Sequence, residues 1–302
     1  MRSVLITGIT GFLGSHIAEQ LISNNIRVIG MKRQSSDIWR CNGFKEDIHW
    51  VDINLEGGFA DQLDGISFDT IIHAAWIGVE ARDRDNWSEQ SKNINFLIEL
   101  LSCAKVHEVN KFIFLGSQAE YGNINGEIDE SHDTTALNAY GGIKLACLEI
   151  LKAYSISNSI DWIWLRIFSL FGEMENDNWL IPSIVNKMLN GNEMDVTAGE
   201  QKYAYLYVKD FASIISTIVT LPIDSGIYNI SGQYVVTIRT LLEQIRDIIN
   251  PGFIFNFGAL PYREHQSMHL QGKIDKILNQ IKEIEFTDFS VALQNTLTYY
   301  KK

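Results

Sequence analysis

The chain opens with an apolar run, Ser3 to Thr7 (SVLIT), followed at once by Gly8-Ile9-Thr10-Gly11-Phe12-Leu13-Gly14. Apolar residues then recur at helical spacing from Phe12 to Ser23, where Phe12, Leu13, Ile17, Leu21 and Ile22 form one face. A buried strand that turns through glycines into a helix constrains the fold strongly. The turn lets the backbone approach a pyrophosphate, and the helix start offers free N–H groups and a positive dipole end. The spacing is Gly-x-x-Gly-x-x-Gly, a variant of the Gly-x-Gly-x-x-Gly fingerprint.

The same rhythm continues. Strands are predicted at Ile26 to Met31, Ile48 to Val51, Thr70 to Ala74, Lys111 to Leu115 and Asp161 to Phe168, and long helices at about Asn86 to Val106 and Ala139 to Tyr154. Apolar strands alternating with helices point to a parallel sheet covered on both faces. The predicted class is therefore α/β, a doubly wound parallel (Rossmann) sheet with a smaller C-terminal substrate-binding lobe. Residues 1–168 form the dinucleotide-binding part, segments near 203–230 return to it, and residues 169–302 are mainly the second lobe.

With 302 residues, 46% of them hydrophobic, the chain can bury a large core. A formal net charge of -12 argues against nucleic acid as a partner. Cys41, Cys103 and Cys147 show no ligand spacing and read as reduced thiols of a cytoplasmic protein. No signal peptide is expected, and no apolar run approaches the roughly 20 residues of a membrane helix. His73 reads as a packed core residue, and His107, His132, His265 and His269 show no ligand pattern, so no metal is expected.

The second strand should meet the adenosine ribose. An acid there binds a 2′-hydroxyl, whereas positive charge accommodates a 2′-phosphate. Here the segment is Gly30-Met31-Lys32-Arg33-Gln34, without an acid. NADP(H) is accordingly favoured over NAD(H), with Lys32 and Arg33 near the phosphate.

Tyr140-Gly-Gly-Ile-Lys144 lies at the start of a predicted helix, and residues four apart share a face. A cation beside the phenol lowers its pKa and readies it for proton exchange. Ser117 follows the fifth strand in Phe114-Leu-Gly-Ser-Gln-Ala-Glu-Tyr-Gly122, at the carboxyl edge where such sheets bind ligands.

Taken together, Gly8-x-x-Gly11-x-x-Gly14, His73-Ala-Ala, Ser117-x-x-x-Tyr121-Gly122 and Tyr140-x-x-x-Lys144 resemble the extended short-chain dehydrogenase/reductases, the sugar-nucleotide epimerase, dehydratase and reductase family. The resemblance implies a catalytic triad of Ser117, Tyr140 and Lys144. It implies cofactor contacts at Gly8, Gly11, Phe12, Leu13, Gly14, Ala74, Ala75, Ile167, Tyr140 and Lys144. Asp52 and Ile53 would flank the adenine, and Asn93 would lie on a helix lining the cofactor.

Departures from the family pattern narrow the reaction. Dehydratases carry an acidic pair after the catalytic Ser or Thr; here Gln118 and Ala119 stand there. The epimerising reductases that make GDP-fucose have a cysteine at the position of Ala119. Many members have an Arg-Asp pair where this chain has Tyr203-Ala204. The stretch Phe255 to Met268, with Gly199-Glu-Gln before it, resembles the CDP-abequose synthase type of 4-keto-6-deoxyhexose reductase. That resemblance implies that Arg263 binds the nucleotide diphosphate. Trp76, Gln118, Ser169 and Trp179 are the candidate contacts to the sugar nucleotide. The expected activity is NADPH-dependent 4-keto reduction of a nucleotide-linked 4-keto-6-deoxyhexose, in deoxysugar and surface-polysaccharide (O-antigen) synthesis. Two alternatives stand beside it: a 4-epimerase with tightly held NAD+, and a non-catalytic dinucleotide sensor. Family members often dimerise through the two long helices, and a homodimer is expected on that basis.

Overall fold

The computed structural model describes residues 2–54, 58–264, 266–281 and 284–301; His265 lies outside them. The chain runs β1 (Ser3–Thr7), α1 (Phe12–Ser23), β2 (Arg27–Arg33), β3 (Ile48–Ile53), β4 (Thr70–His73), α2 (Trp87–Val106), β5 (Lys111–Ser117), β6 (Gly126–Ile128) and α3 (Ala139–Asn158). It continues with β7 (Asp161–Ile167), β8 (Ser169–Phe171), α4 (Leu180–Asn190), β9 (Glu193–Val196), β10 (Lys202–Tyr207), α5 (Val208–Thr220), β11 (Gly226–Ile230) and β12 (Val235–Thr237). The last elements are α6 (Ile238–Ile249), β13 (Ile254–Phe257), β14 (His269–Gly272), α7 (Asp275–Gln280) and α8 (Phe289–Tyr300).

Seven parallel strands form the main sheet in the order β3-β2-β1-β4-β5-β7-β11. Strand β1 shows why its sequence is apolar throughout. Val4 and Ile6 join a cluster with Ile17 and Leu21 of α1 and Phe211 and Ile215 of α5. Leu5 points the other way, into a cluster with Leu97 and Leu101 of α2 and Cys147 and Leu151 of α3. The twofold strand period thus feeds two cores, one on each face. Each such fully buried aliphatic contributes roughly 1.5–3 kcal/mol relative to exposure.

The C-terminal lobe is built from the β12-β10-β14-β6 sheet, with β8 beside β10, and from the β9–β13 pair. Helices α4, α6 and α8 enclose a third core around Phe171, Tyr205, Leu241 and Leu293. Phe12 and Leu13 pack against this core, which ties the start of α1 to the second lobe. Strand β11 returns to the main sheet beside β7.

Element ends differ from the sequence expectation in two informative places. Strand β2 continues to Arg33, because Lys32 and Arg33 pair in register with Asp52 and Ile53 of an equally extended β3. Helix α3 runs on to Asn158. The Ser157 hydroxyl and the Asn158 amide bond back to the carbonyls of Ala153 and Tyr154, and Ser159 then stops the helix in the left-handed region at φ 56°. Cys41, Cys103 and Cys147 are buried free thiols.

Candidate active site

The order of strand addition reverses between β1 and β4, which leaves a crevice at their carboxyl ends. The glycine loop lines it. Gly8 has φ +70°, and a Cβ on it would lie 2.6 Å from the Ala75 nitrogen. A Cβ on Gly14 would lie 2.2 Å from the Gly8 carbonyl oxygen. Gly11 closes the turn by donating to that same oxygen at 3.0 Å. Helix α1 begins with no side-chain cap and no acid in its first turn, so its free N–H groups are available to an anion. The cradle fits a dinucleotide pyrophosphate. Ala74 and Ala75, both half-buried, close its far side, where Thr7 Oγ1 accepts from the Ala75 N–H at 3.2 Å.

Below them, His73 is 2% exposed, and its Nδ1 lies 2.7 Å from Thr7 Oγ1. Burial, reinforced by the Lys144 charge, pushes its pKa down to about 3, so the ring is neutral. It packs against Phe96 and Phe114.

At the ribose end the two basic residues are not equivalent. Lys32 is ion-paired with Asp52, its register neighbour across β2 and β3, and its side chain is mostly buried. Arg33 remains exposed, and Ile53 is buried. A third cation, Arg40, escaped the sequence reading because nothing local marks it. It donates to the carbonyls of Met174 at 2.8 Å and of Thr10 at 3.4 Å, and to Asn176 Oδ1 at 2.6 Å. It therefore clamps the glycine loop to the 172–177 loop.

Ser117, Tyr140 and Lys144 come together at the carboxyl edge of β5. Ser117 ends that strand opposite Ile167 of β7. Its hydroxyl accepts from Ala119 N at 3.2 Å, and Glu120 reaches back to the Ser117 N–H at 2.7 Å. This is a capping box on a single turn, legible in Ser117-x-x-Glu120 yet missed by the sequence reading. Glu120 is fully buried; it also accepts from Trp164 Nε1 at 3.0 Å and from Arg166 Nε at 2.7 Å. Gly116 leaves room for that group, since a Cβ there would lie 2.3 Å from the indole nitrogen.

Asn138 caps α3 by accepting from Gly141 N at 2.9 Å, and Gly141 allows the helix start to pass close to the Ala119 carbonyl. Tyr140 meets Trp76 edge to face, with ring centroids 5.8 Å apart. One turn on, Lys144 Nζ lies 3.6 Å from the Trp76 ring centroid and donates to the Leu115 carbonyl at 2.7 Å. Burial lowers the Lys144 pKa to about 7.

One expectation is corrected at the pair itself. Burial raises the Tyr140 pKa above its ordinary value, and the groups that oppose this are the Ser117 hydroxyl and Arg84. The Lys144 amine, committed to Leu115 and Trp76, does not dominate the phenol as the four-residue spacing suggested.

Asn93 lies on the long helix α2, as expected. It is buried on α2, but its amide is spent on the segment after β4: Oδ1 accepts from Ile77 N at 2.8 Å and Nδ2 donates to Ile77 O at 3.1 Å. Gln90, which the sequence reading missed, is fully buried and does similar work. Its Oε1 accepts from Trp76 Nε1 at 2.9 Å, and its Nε2 donates to the Gly78 carbonyl at 2.6 Å. Two amides one helical turn apart thus hold Trp76 against the Tyr140–Lys144 pair. Gln118 is half-buried beside Ser117, and Ser169 begins β8 and pairs with Tyr205. Trp179 is 41% exposed at the start of α4. Arg263 is exposed, and its charge acts on Tyr203, whose pKa burial raises while Gln266 and Arg263 oppose the rise. Among the described residues, no group of three His, Cys, Asp or Glu could hold a metal, and no helix is long and apolar enough to cross a membrane.

A parallel Rossmann sheet, a glycine cradle at its switch point and a Ser-Tyr-Lys cluster at the adjoining strand end define a nicotinamide-dinucleotide enzyme of the short-chain dehydrogenase/reductase type. The chain belongs to the NAD dependent epimerase/dehydratase family, whose model matches residues 4–231. Among its relatives is a protein described as an uncharacterized UDP-glucose epimerase of Bacillus subtilis, 26% identical over 81% of this chain and 81% of that one. CDP-abequose synthase of Salmonella muenchen is 25% identical over 88% of this chain and 87% of its own. The structure superposes with a TM-score of 0.88 on a UDP-N-acetylglucosamine 4-epimerase from Methanobrevibacter ruminantium solved with UDP-N-acetylmuramic acid, at 24% identity over 99% and 98% of the two chains.

Proposed function

We propose that the protein is an NADPH-dependent 4-keto reductase of a nucleotide-linked 4-keto-6-deoxyhexose, acting in deoxysugar synthesis for surface polysaccharide. One observation carries this reading. Glu120, the sole carboxyl group of the 117–121 turn, is buried under the sheet edge and consumed by Trp164 and Arg166. Gln118 and Ala119 offer no acid or base beside Ser117. Water elimination, and epimerisation by proton exchange beside a keto group, both need such a group; carbonyl reduction does not.

When bound, the dinucleotide supplies a hydride to the carbonyl carbon. Gly8, Gly11, Gly14, Phe12, Leu13, Ala74 and Ala75 would hold its pyrophosphate end, and Tyr140, Lys144 and Ile167 its nicotinamide end. The Ser117 hydroxyl fixes the carbonyl oxygen, and Tyr140 gives that oxygen its proton. The phenolate left on Tyr140 is stabilised by nearby positive charge. Trp76, Gln118, Ser169 and Trp179 would face the sugar nucleotide, and the Arg263 guanidinium suits its diphosphate. Exposed Trp87 and Ile98 on α2 and Ile156 on α3 support a homodimer through those helices.

The test is loss of reduced-nicotinamide absorbance with dTDP-, CDP- and GDP-4-keto-6-deoxyglucose, using NADPH and NADH in parallel. Oxidation with one nucleotide and a roughly 10²–10⁴-fold slower Tyr140→Phe variant is expected. Full turnover by Tyr140→Phe would refute the mechanism.

A second reading, an NDP-sugar 4-epimerase with tightly bound NAD+, draws support from the Lys32–Asp52 ion pair. That pair removes one of the two cations meant for a 2′-phosphate. Protein purified with stoichiometric NAD+ and interconverting UDP-hexoses would establish it in place of the reductase.

A further inference from the structure

The segment after β4 returns to the start of α3 and places a cation on Tyr140. The Arg84 carbonyl accepts the Tyr140 N–H at 2.8 Å. That N–H belongs to the first helical turn and has no partner within the helix. The side chain curls back, Nε donates to the Val79 carbonyl at 3.1 Å, and the guanidinium carbon lies 5.0 Å from the centre of the Tyr140 ring. Among the described residues, neither Nη atom has a hydrogen-bond partner.

The elements packed on Tyr140 bring different groups to it. The turn after β5 brings the Ser117 hydroxyl, which favours the phenolate, and the Glu120 carboxylate, which opposes it. The segment before α2 brings Arg84, which favours it. Trp76 adds an uncharged edge. On α3 itself, Lys144 Nζ stands 5.8 Å from the ring centre and is held by the Leu115 carbonyl. A guanidinium keeps its charge when desolvated, whereas a buried amine sheds its proton readily.

We propose that Arg84 is a positioning residue for proton transfer by Tyr140, its carbonyl fixing the start of α3 and its guanidinium covering the phenol ring. The proposal rests on Tyr140 being the proton donor. A cation over the ring face stabilises the phenolate more than the phenol. Among the described residues, the neighbouring carboxylates of Glu80 and Asp83 pair with Arg82 and not with Arg84.

The experiment compares Arg84→Gln, Arg84→Lys and the natural protein, with tyrosine labelled with carbon-13 at the phenol carbon. Tyr140→Phe assigns the resonance among the 11 tyrosines. Both Arg84 variants keep the backbone carbonyl and therefore the anchor of α3. Arg84→Gln is expected to move the Tyr140 titration to higher pH, and Arg84→Lys to move it part of the way back. With dTDP-4-keto-6-deoxyglucose and NADPH, Arg84→Gln should lower kcat/KM about tenfold near neutrality and shift its alkaline limb upward. A Tyr140 resonance that titrates unchanged in Arg84→Gln would overturn the role of Arg84. Full turnover by Tyr140→Phe would instead overturn the reading of Tyr140 as proton donor, so the two failures are distinguishable.

Discussion

Replacing Glu120 by alanine isolates the most heavily invested polar group in the protein. The carboxylate is fully buried, and its partner Arg166 is 3% exposed. Removing it leaves a guanidinium in the interior without its counter-charge, a loss of about 3–5 kcal/mol in comparable pairs. It also orphans the Trp164 indole N–H and the Ser117 backbone N–H, each costing roughly 1–3 kcal/mol if water does not reach it. These groups share one site and do not add fully, so the expected destabilisation is about 4–6 kcal/mol. At about 2 °C per kcal/mol for a chain of this size, Tm falls by roughly 8–12 °C. Urea denaturation and calorimetry on Glu120→Ala measure it directly. The paired variant Glu120→Ala with Arg166→Met removes the uncompensated charge and should recover at least about 2 kcal/mol. A loss below about 1 kcal/mol in the single variant, or no recovery in the double, would refute the assignment of a buried ion pair beneath Ser117.

Three other outcomes follow from the geometry. Gly14→Ala puts a Cβ 2.2 Å from the Gly8 oxygen, a backbone atom that cannot swing aside. Dinucleotide affinity by calorimetric titration should therefore fall at least about tenfold, a cost of 1.4 kcal/mol or more. Asp52→Asn releases Lys32, and the ratio of NADPH to NADH affinity should rise several-fold at low salt, with the gain screened away at high salt. His73 has its pKa depressed from 6.5 to about 3, so the unfolded chain binds the extra proton between those values. Its contribution to stability is full above about pH 6.5 and is lost as pH falls towards 3. His73→Gln should unfold with a shallower pH dependence in that window, by up to one proton in the slope.

The catalytic candidates illustrate two kinds of legibility. Gly8, Gly11 and Gly14 could be read directly, because close backbone approach excludes a side chain whatever surrounds it. Tyr140 and Lys144 could be placed on one face because helical spacing is a local property. Their electrostatics could not. The state of Lys144 depends on Leu115 and Trp76, and that of Tyr140 on Arg84 and Glu120, none of them within a helical turn of either residue.

Periodicity and turn chemistry by themselves determined the parallel α/β class, the first strand-to-helix turn, the position of Ser117 after a strand and the shared helix face of Tyr140 and Lys144; the family resemblance alone joined these three as a triad. These rest on local rules: alternation of apolar runs, the spacing of residues on a helix face and the space a glycine leaves. Tertiary structure alone decided that Lys32 is neutralised by Asp52 and that Asn93 and Gln90 brace the Trp76 segment. It also decided that Arg40 clamps the glycine loop and that Arg84 covers the phenol. Each is a contact between charged or polar groups brought together by strand register or loop return. Such pairings depend on through-space distance, which the spacing of residues along a chain does not encode.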